Sequence, residues 1–283
     1  MAFRLWQVGL EIGNGAVRAL AVQRRRGGWQ LRHWWQRALP AASLNEREGS
    51  PCDGVGRLLA EWRKQLPGSI SLRVCLPAHL FSQRRIKAPD RRLREPEREW
   101  YVGSHAKRHF PEDSGPLLFD YQNDPLVPNT LLVTAARQTA VAQWQSCLSA
   151  AGLDPQIMDF MPCALRCMAR HAELERNAML IHGLDDGWCW ISPLSRPLEF
   201  GFVRREDALD FEALRRIIGP PPSGERGAVC PGAYFSSIAG ADAPKDALAW
   251  PPFDTFWQIF PPVPPRPQAF LIAGGLALRL EDA

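Results

Sequence analysis

Lysine is almost missing from this 283-residue chain, whose basic side chains are 30 arginines and only 4 lysines. Tyrosine (3), methionine (5) and histidine (6) are scarce as well. Other absences exclude whole chemistries. There is no Gly-x-x-x-x-Gly-Lys loop to cradle a phosphate and no Gly-x-Ser-x-Gly elbow to present a nucleophile. The histidines have no metal-like spacing. Cys163, Cys167 and His171 fall at i, i+4 and i+8 of an expected helix, where they span about 12 Å at 1.5 Å per residue. Zinc bonds of about 2.0–2.3 Å cannot bridge that distance, so a buried stripe is expected and no metal. The seven cysteines are odd in number and lack scaffold spacing, which speaks against a disulfide framework and for reduced thiols. The most apolar run, Phe270 to Leu278, has nine residues and two glycines, far short of the roughly 20 a membrane span needs. Met1-Ala2-Phe3-Arg4 leads straight into a strand pattern without a secretory apolar region. The expectation is a cytosolic protein.

The charge that is present is unevenly spread. Residues 1–110 hold 21 Lys and Arg against 9 Asp and Glu, a balance of +12, and the remainder is −8, giving +4 in all. Such asymmetry can orient a protein toward an anionic membrane surface or an acidic partner, and it would equally suit nucleic acid.

Hydrophobic patterning gives an α/β chain. Leu10, Ile12, Val17, Ala19 and Ala21, then Trp29, Leu31, His33 and Trp35, alternate as a three-stranded meander turned at Gly13-Asn14-Gly15 and at Arg24-Arg25-Arg26-Gly27-Gly28. Val55, Leu58, Leu59, Trp62 and Leu66 mark an amphipathic helix stopped by Pro67-Gly68. Ile70 to Leu76 is a strand. A separate unit follows, with strands at Phe81–Ile86, Leu117–Tyr121 and Thr130–Ala135 and a helix from Glu95 to Phe110. Helices are expected at about Gln138–Ala151, Pro162–Glu175 and Glu206–Ile218, and a hairpin turns at Asp185-Asp186-Gly187. Pro220-Pro221-Pro222 and the seven prolines between Pro251 and Pro267 predict rigid loops.

The stretch Val8-Gly9-Leu10-Glu11-Ile12-Gly13-Asn14-Gly15-Ala16-Val17-Arg18 reads as strand, glycine turn, strand. Much later comes Ala273-Gly274-Gly275-Leu276. Between them lie Leu76-Pro77, Pro96-Glu97-Arg98-Glu99, Phe119-Asp120-Tyr121, Leu132 to Arg137, Ala151-Gly152-Leu153, Asp159 and Ala164-Leu165-Arg166. In this order the segments resemble the PilM/HofM family of actin-like proteins from type IV pilus assembly and DNA utilization. The likeness holds from residue 6 to about 175 and returns at 269–279.

The resemblance implies an α/β, actin-like (ribonuclease H-like) fold with two lobes, an inserted subdomain in the first and a reduced second lobe. Residues 1–77 and 137–176 would form the first lobe and 78–136 the insert. Residues 177–283 would form the reduced second lobe, its C-terminal segment packing back on the first. The implied partner is the cytoplasmic tail of a PilN/HofN-like inner-membrane protein, docked between the 70–77 strand and the 95–121 unit. The chain would then be an adaptor recruited to the cytoplasmic face of that membrane, without direct DNA contact.

Actin-like ATPases hold phosphate and Mg²⁺ with two glycine hairpins that each carry an Asp. Here Glu11 stands where the family has Asp and Arg18 where it often has Lys, and His182 falls near the second Asp. The nucleotide-site residues implied are Glu11, Gly13, Asn14, Gly15 and Arg18, as a vestige. The expectation is a degenerate ATPase site with no catalytic residue and no cofactor, used as a scaffold. Two rivals stand beside it: a switch driven by ATP and Mg²⁺, and a nucleic-acid binder using the arginine-rich first half.

Overall fold

The computed structural model describes residues 5–13, 15–39, 51, 53–76, 80–108, 115–124, 127–219 and 232–280. In chain order the strands and helices begin with β1 (Trp6–Ile12), β2 (Ala16–Arg25), β3 (Gly28–Ala38), α1 (Asp53–Arg63), β4 (Ile70–Leu76) and β5 (Phe81–Lys87). They continue with α2 (Glu97–Lys107), β6 (Leu117–Asn123), β7 (Thr130–Arg137), α3 (Gln138–Ala150), β8 (Pro155–Phe160) and α4 (Met161–His171). The last are β9 (Met179–Gly183), β10 (Gly187–Ile191), β11 (Phe200–Arg204), α5 (Phe211–Ile218), β12 (Ala233–Ser237), β13 (Leu248–Ala249), β14 (Phe256–Ile259) and α6 (Leu271–Leu278).

The chain divides into two compact units. One comprises Met1–Pro40, Lys64–Leu76 and Pro155–Ala283 and holds two sheets. Its six-stranded sheet has the order β14-β3-β2-β1-β4-β8, with the β1–β2–β3 meander antiparallel and the outer strands added in parallel. Its five-stranded sheet runs β11-β10-β9-β12-β13. The apolar helix α6 is buried along its whole length and packs on α4, β1 and β2. Burial of Leu271, Ile272, Leu276 and Leu278 stabilises this arrangement by about 1.5–3 kcal/mol per side chain. Arg73, itself buried, donates from Nε to the carbonyl of Arg279 (3.0 Å) and from Nη1 to that of Ser71 (2.9 Å). Arg279 also pairs with Asp159, so the end of α6 is tied to both β4 and β8.

The other unit comprises Ala41–Arg63 and Pro77–Asp154. Its antiparallel sheet β5-β7-β6 sets Ile86, Leu131, Val133 and Ala135 against Val102 and Ala106 of α2. Residues 78–136, expected as the insert, lie within it, together with α1 and α3.

Some local expectations shift. α5 begins at Phe211, because the Asp210 carboxylate caps it by accepting from the Ala213 N–H (2.7 Å). α4 stops at His171, and Glu173 takes a left-handed φ of 52°. The proline-rich stretch is not all loop. It supplies β14, an edge strand, which is where a sheet tolerates neighbouring prolines. β12 and β13 were not anticipated. Pro220-Pro221-Pro222, Pro77 and Cys230 lie outside the described residues.

Candidate functional site

The β1–β2 hairpin closes where Gly13 N–H donates to the Ala16 carbonyl (3.0 Å), and Leu39 N–H secures the carbonyl of Gly15. Asn14, the middle residue of the expected site, lies outside the described residues. Across the hairpin Glu11 is paired in register with Arg18. Directly opposed residues of antiparallel strands share a face, so the two side chains meet. Arg18 Nη1 donates to Glu11 Oε1 at 3.2 Å, with both side chains almost wholly buried. The register that builds the hairpin thus builds the ion pair.

Burial pushes the Glu11 carboxyl above its ordinary range, Arg18 pulls it back, and Asp185 pushes it up further. Among the described residues Glu11 Oε2 and Arg18 Nε have no hydrogen-bond partner.

The second hairpin, β9–β10, faces the first. Its turn is held by Leu184 N–H on the Gly187 carbonyl and by Arg205, which donates to Leu184 O (2.8 Å) and stacks on Trp188. Asp185 Oδ2 lies 3.6 Å from where a Cβ on Gly15 would stand. His182, buried in β9, shares a 2.8 Å hydrogen bond between Nδ1 and Ser236 Oγ on β12. Burial, aided by the charge of Arg18, pushes its imidazole down to about 3, so it is neutral at physiological pH. Its Nε2 has no partner among the described residues.

That shift has a measurable sign. Unfolded His182 takes a proton near 6.5 and the folded one only near 3, so between those values the unfolded chain binds more protons. The stabilisation tied to neutral His182 is therefore complete above pH 6.5 and lost as pH falls toward 3. The stability advantage of the wild type over His182→Asn should shrink by up to about 1.4 kcal/mol per pH unit below about 6. Parallel pH profiles of denaturation for the two proteins would contradict this.

A second buried carboxylate sits beside the first. Cys75 is paired in register with both Glu11 and Asp159. Asp159 accepts from the Phe160 N–H (2.8 Å) as well as from Arg279. Sequence reading missed this pairing, as the partners are 120 residues apart. Burial raises the Cys75 and Cys163 thiols well above their ordinary value, which suppresses the reactive thiolate. Cys163 faces Asp159, whereas His171, two turns on, packs edge-on to Trp29. Among the described residues no group of three or more His, Cys, Asp or Glu is placed to hold a metal.

Magnesium in an NTP site needs free carboxylate or water-bearing oxygens. Here Glu11 Oε1 is engaged by an internal guanidinium, Glu11 Oε2 has no partner among the described residues, and the opposite hairpin presents the Asp185 carboxylate beside the neutral His182 imidazole.

Residues 9–178 match the family described as Type IV pilus assembly protein PilM. The chain is 28% identical over 142 residues to the DNA utilization protein HofM of Escherichia coli (strain K12), a match covering 50% of this chain and 54% of HofM. The chain thus spans about half the length of that curated relative. A solved PilM-PilN type IV pilus biogenesis complex contains a chain of the same fold, with a TM-score of 0.68 at 21% identity, covering 97% of this chain and 98% of that one. The cytoplasmic domain of EpsL, an inner membrane component of the type II secretion system of Vibrio cholerae, gives 0.55 at 11% identity, covering 96% and 94%. The fold is accordingly α/β and actin-like. With more than half of its length matched, the chain belongs to the type IV pilus assembly protein PilM family.

Proposed function

We propose that the protein is a cytosolic adaptor of a type IV pilus-like or DNA-uptake apparatus. In this reading it captures the cytoplasmic tail of a PilN/HofN-like inner-membrane protein and hydrolyses no nucleotide. The observation that carries the reading is the buried Glu11–Arg18 pair in a PilM family member. The hairpin that would receive Mg²⁺ and phosphate pairs its carboxylate with its own arginine, which supports binding as the function. No helix among the described residues is long and apolar enough to cross a membrane, and recruitment through a partner's tail supplies the attachment.

Calorimetry tests both halves. Mg-ATP titrated into the millimolar range should give no saturable heat, while a synthetic tail peptide of the cognate membrane partner should bind in nucleotide-free buffer. Saturable Mg-ATP binding, or tail binding that requires nucleotide, would favour the ATP-driven switch instead.

A further inference from the structure

The end of the six-stranded sheet opposite the Glu11–Arg18 pair carries a feature that this reading does not use. The β2–β3 hairpin, Ala16 to Ala38, contains six arginines and no acidic residue. Its turn exposes four consecutive residues, Arg24, Arg25, Arg26 and Gly27. Arg25 and Arg26 make no ion pair among the described residues. Arg24 lies over the Trp29 ring.

An aromatic side chain is seated on this turn. β14 runs parallel to β3 with a register shift between Phe256 and Gln258, and Trp257 sits at that shift. Its ring lies against Gly27, where a Cβ would come within 2.8 Å of it. Despite that contact Trp257 is 62% exposed. Further along the same strap, Phe260 (53%) and Val263 (47%) are exposed, and Arg32 covers the Phe260 ring at 4.3 Å. The strap from Pro251 to Pro267 carries one acidic residue, Asp254. Leu5, 45% exposed, precedes β1 at this end of the sheet.

We infer that this arginine turn and the Trp257–Val263 strap form a docking surface for an anionic phospholipid bilayer. Contiguous arginines attract acidic headgroups, each contributing on the order of 1 kcal/mol near the surface. Tryptophan and phenylalanine settle at the boundary between headgroups and acyl chains. Single-stranded nucleic acid, the other polyanion to consider, needs successive open aromatic faces. Here Phe260 is capped by Arg32, one face of Trp257 is taken by Gly27, and the remaining apolar side chains, Val263 and Leu5, are aliphatic. Arg18 and Arg25 are seven residues apart on β2, roughly 23 Å at about 3.3 Å per residue, so the arginine turn is distinct from the ion-pair site, and the strap runs from it along the β3 edge, where Trp34 donates to the Pro262 carbonyl.

The test is co-flotation of the purified chain with phosphatidylcholine vesicles, with and without phosphatidylglycerol, in the absence of any partner. Expected is association with the anionic vesicles only, lost at high salt. It should weaken about thirtyfold in Arg25→Gln/Arg26→Gln, about fivefold per arginine. Brominated acyl chains should quench tryptophan emission in the wild type and less in Trp257→Phe. Equal binding to neutral vesicles, no binding to either, or indifference to the arginine substitutions would overturn the inference. So would an oligonucleotide bound through these side chains while vesicles are ignored. The exposed arginines leave the fold intact when changed, which a melting curve verifies.

Discussion

Glu11→Ala should destabilise the fold by about 3–5 kcal/mol, the range for removing one partner of a buried ion pair. The substitution leaves Arg18, almost wholly buried, with its charge uncompensated and with Nε already lacking a partner among the described residues. His182 cannot take over, since its imidazole is itself held down by burial and by Arg18. Glu11→Gln keeps the volume and one acceptor, so it should fall between wild type and Glu11→Ala. Replacing both partners, Glu11→Leu with Arg18→Met, removes the desolvation cost along with the attraction and should recover most of the loss. Chemical denaturation of the four proteins gives their order. If Glu11→Ala unfolded at the wild-type midpoint, the pair would be no structural element, and Glu11 would again be a candidate ligand for a metal or phosphate. The two roles separate cleanly, because a ligand-binding carboxylate changes affinity when removed and a structural one changes stability.

The hairpin behind this prediction was legible in the sequence, since strand, glycine turn and strand are local signals. A turn centred on Asn14 and Gly15 pairs residues whose numbers sum to 29, which sets Glu11 opposite Arg18. Taken singly, each residue is a departure from the family pattern; turn arithmetic joins them. His182 lies on β9 of the second hairpin, but its neutrality comes from burial aided by Arg18, and its hydrogen-bond partner is Ser236; both residues are remote in sequence. The Asp159–Arg279 pair and the seating of Trp257 on Gly27 are likewise long-range. Nothing in the local pattern around Asp159 signals a partner 120 residues away. β14 was hidden because prolines flank a four-residue strand, and its edge position, which makes the prolines tolerable, is a tertiary fact. The start of α5 was readable: Asp210, before Phe211-Glu212-Ala213-Leu214, is an ordinary N-cap signal.

Gly275→Ala and Gly9→Ala should each cost about 3 kcal/mol or more, at or above the usual range for overpacking. A Cβ on Gly275 would stand 1.8 Å from the Ala164 carbonyl oxygen of α4, and one on Gly9 would stand 2.0 Å from that of Ala273 in α6. Both obstacles are backbone, which no rotamer change relieves. Helix propensity favours alanine over glycine by about 1 kcal/mol, too little to reverse the sign at Gly275. Neighbouring sites give the contrast. At Gly274 the nearest atom is the flexible end of Met168 at 3.2 Å, so alanine there should be close to neutral. At Gly56 in α1 the nearest is Cys147 Sγ at 3.6 Å, so alanine should stabilise by about 0.5–1 kcal/mol. Denaturant midpoints should therefore rank Gly56→Ala above wild type, Gly274→Ala near it, and Gly9→Ala and Gly275→Ala far below. Equal midpoints for Gly275→Ala and Gly56→Ala would contradict the packing of α6. The double variant is the sharpest case. A methyl on Gly9 drives α6 away from β1 and toward α4, and one on Gly275 drives it the opposite way. Relaxation that relieves either clash worsens the other, so the loss in the double variant should exceed the sum of the two single losses, unlike that at distant and independent sites.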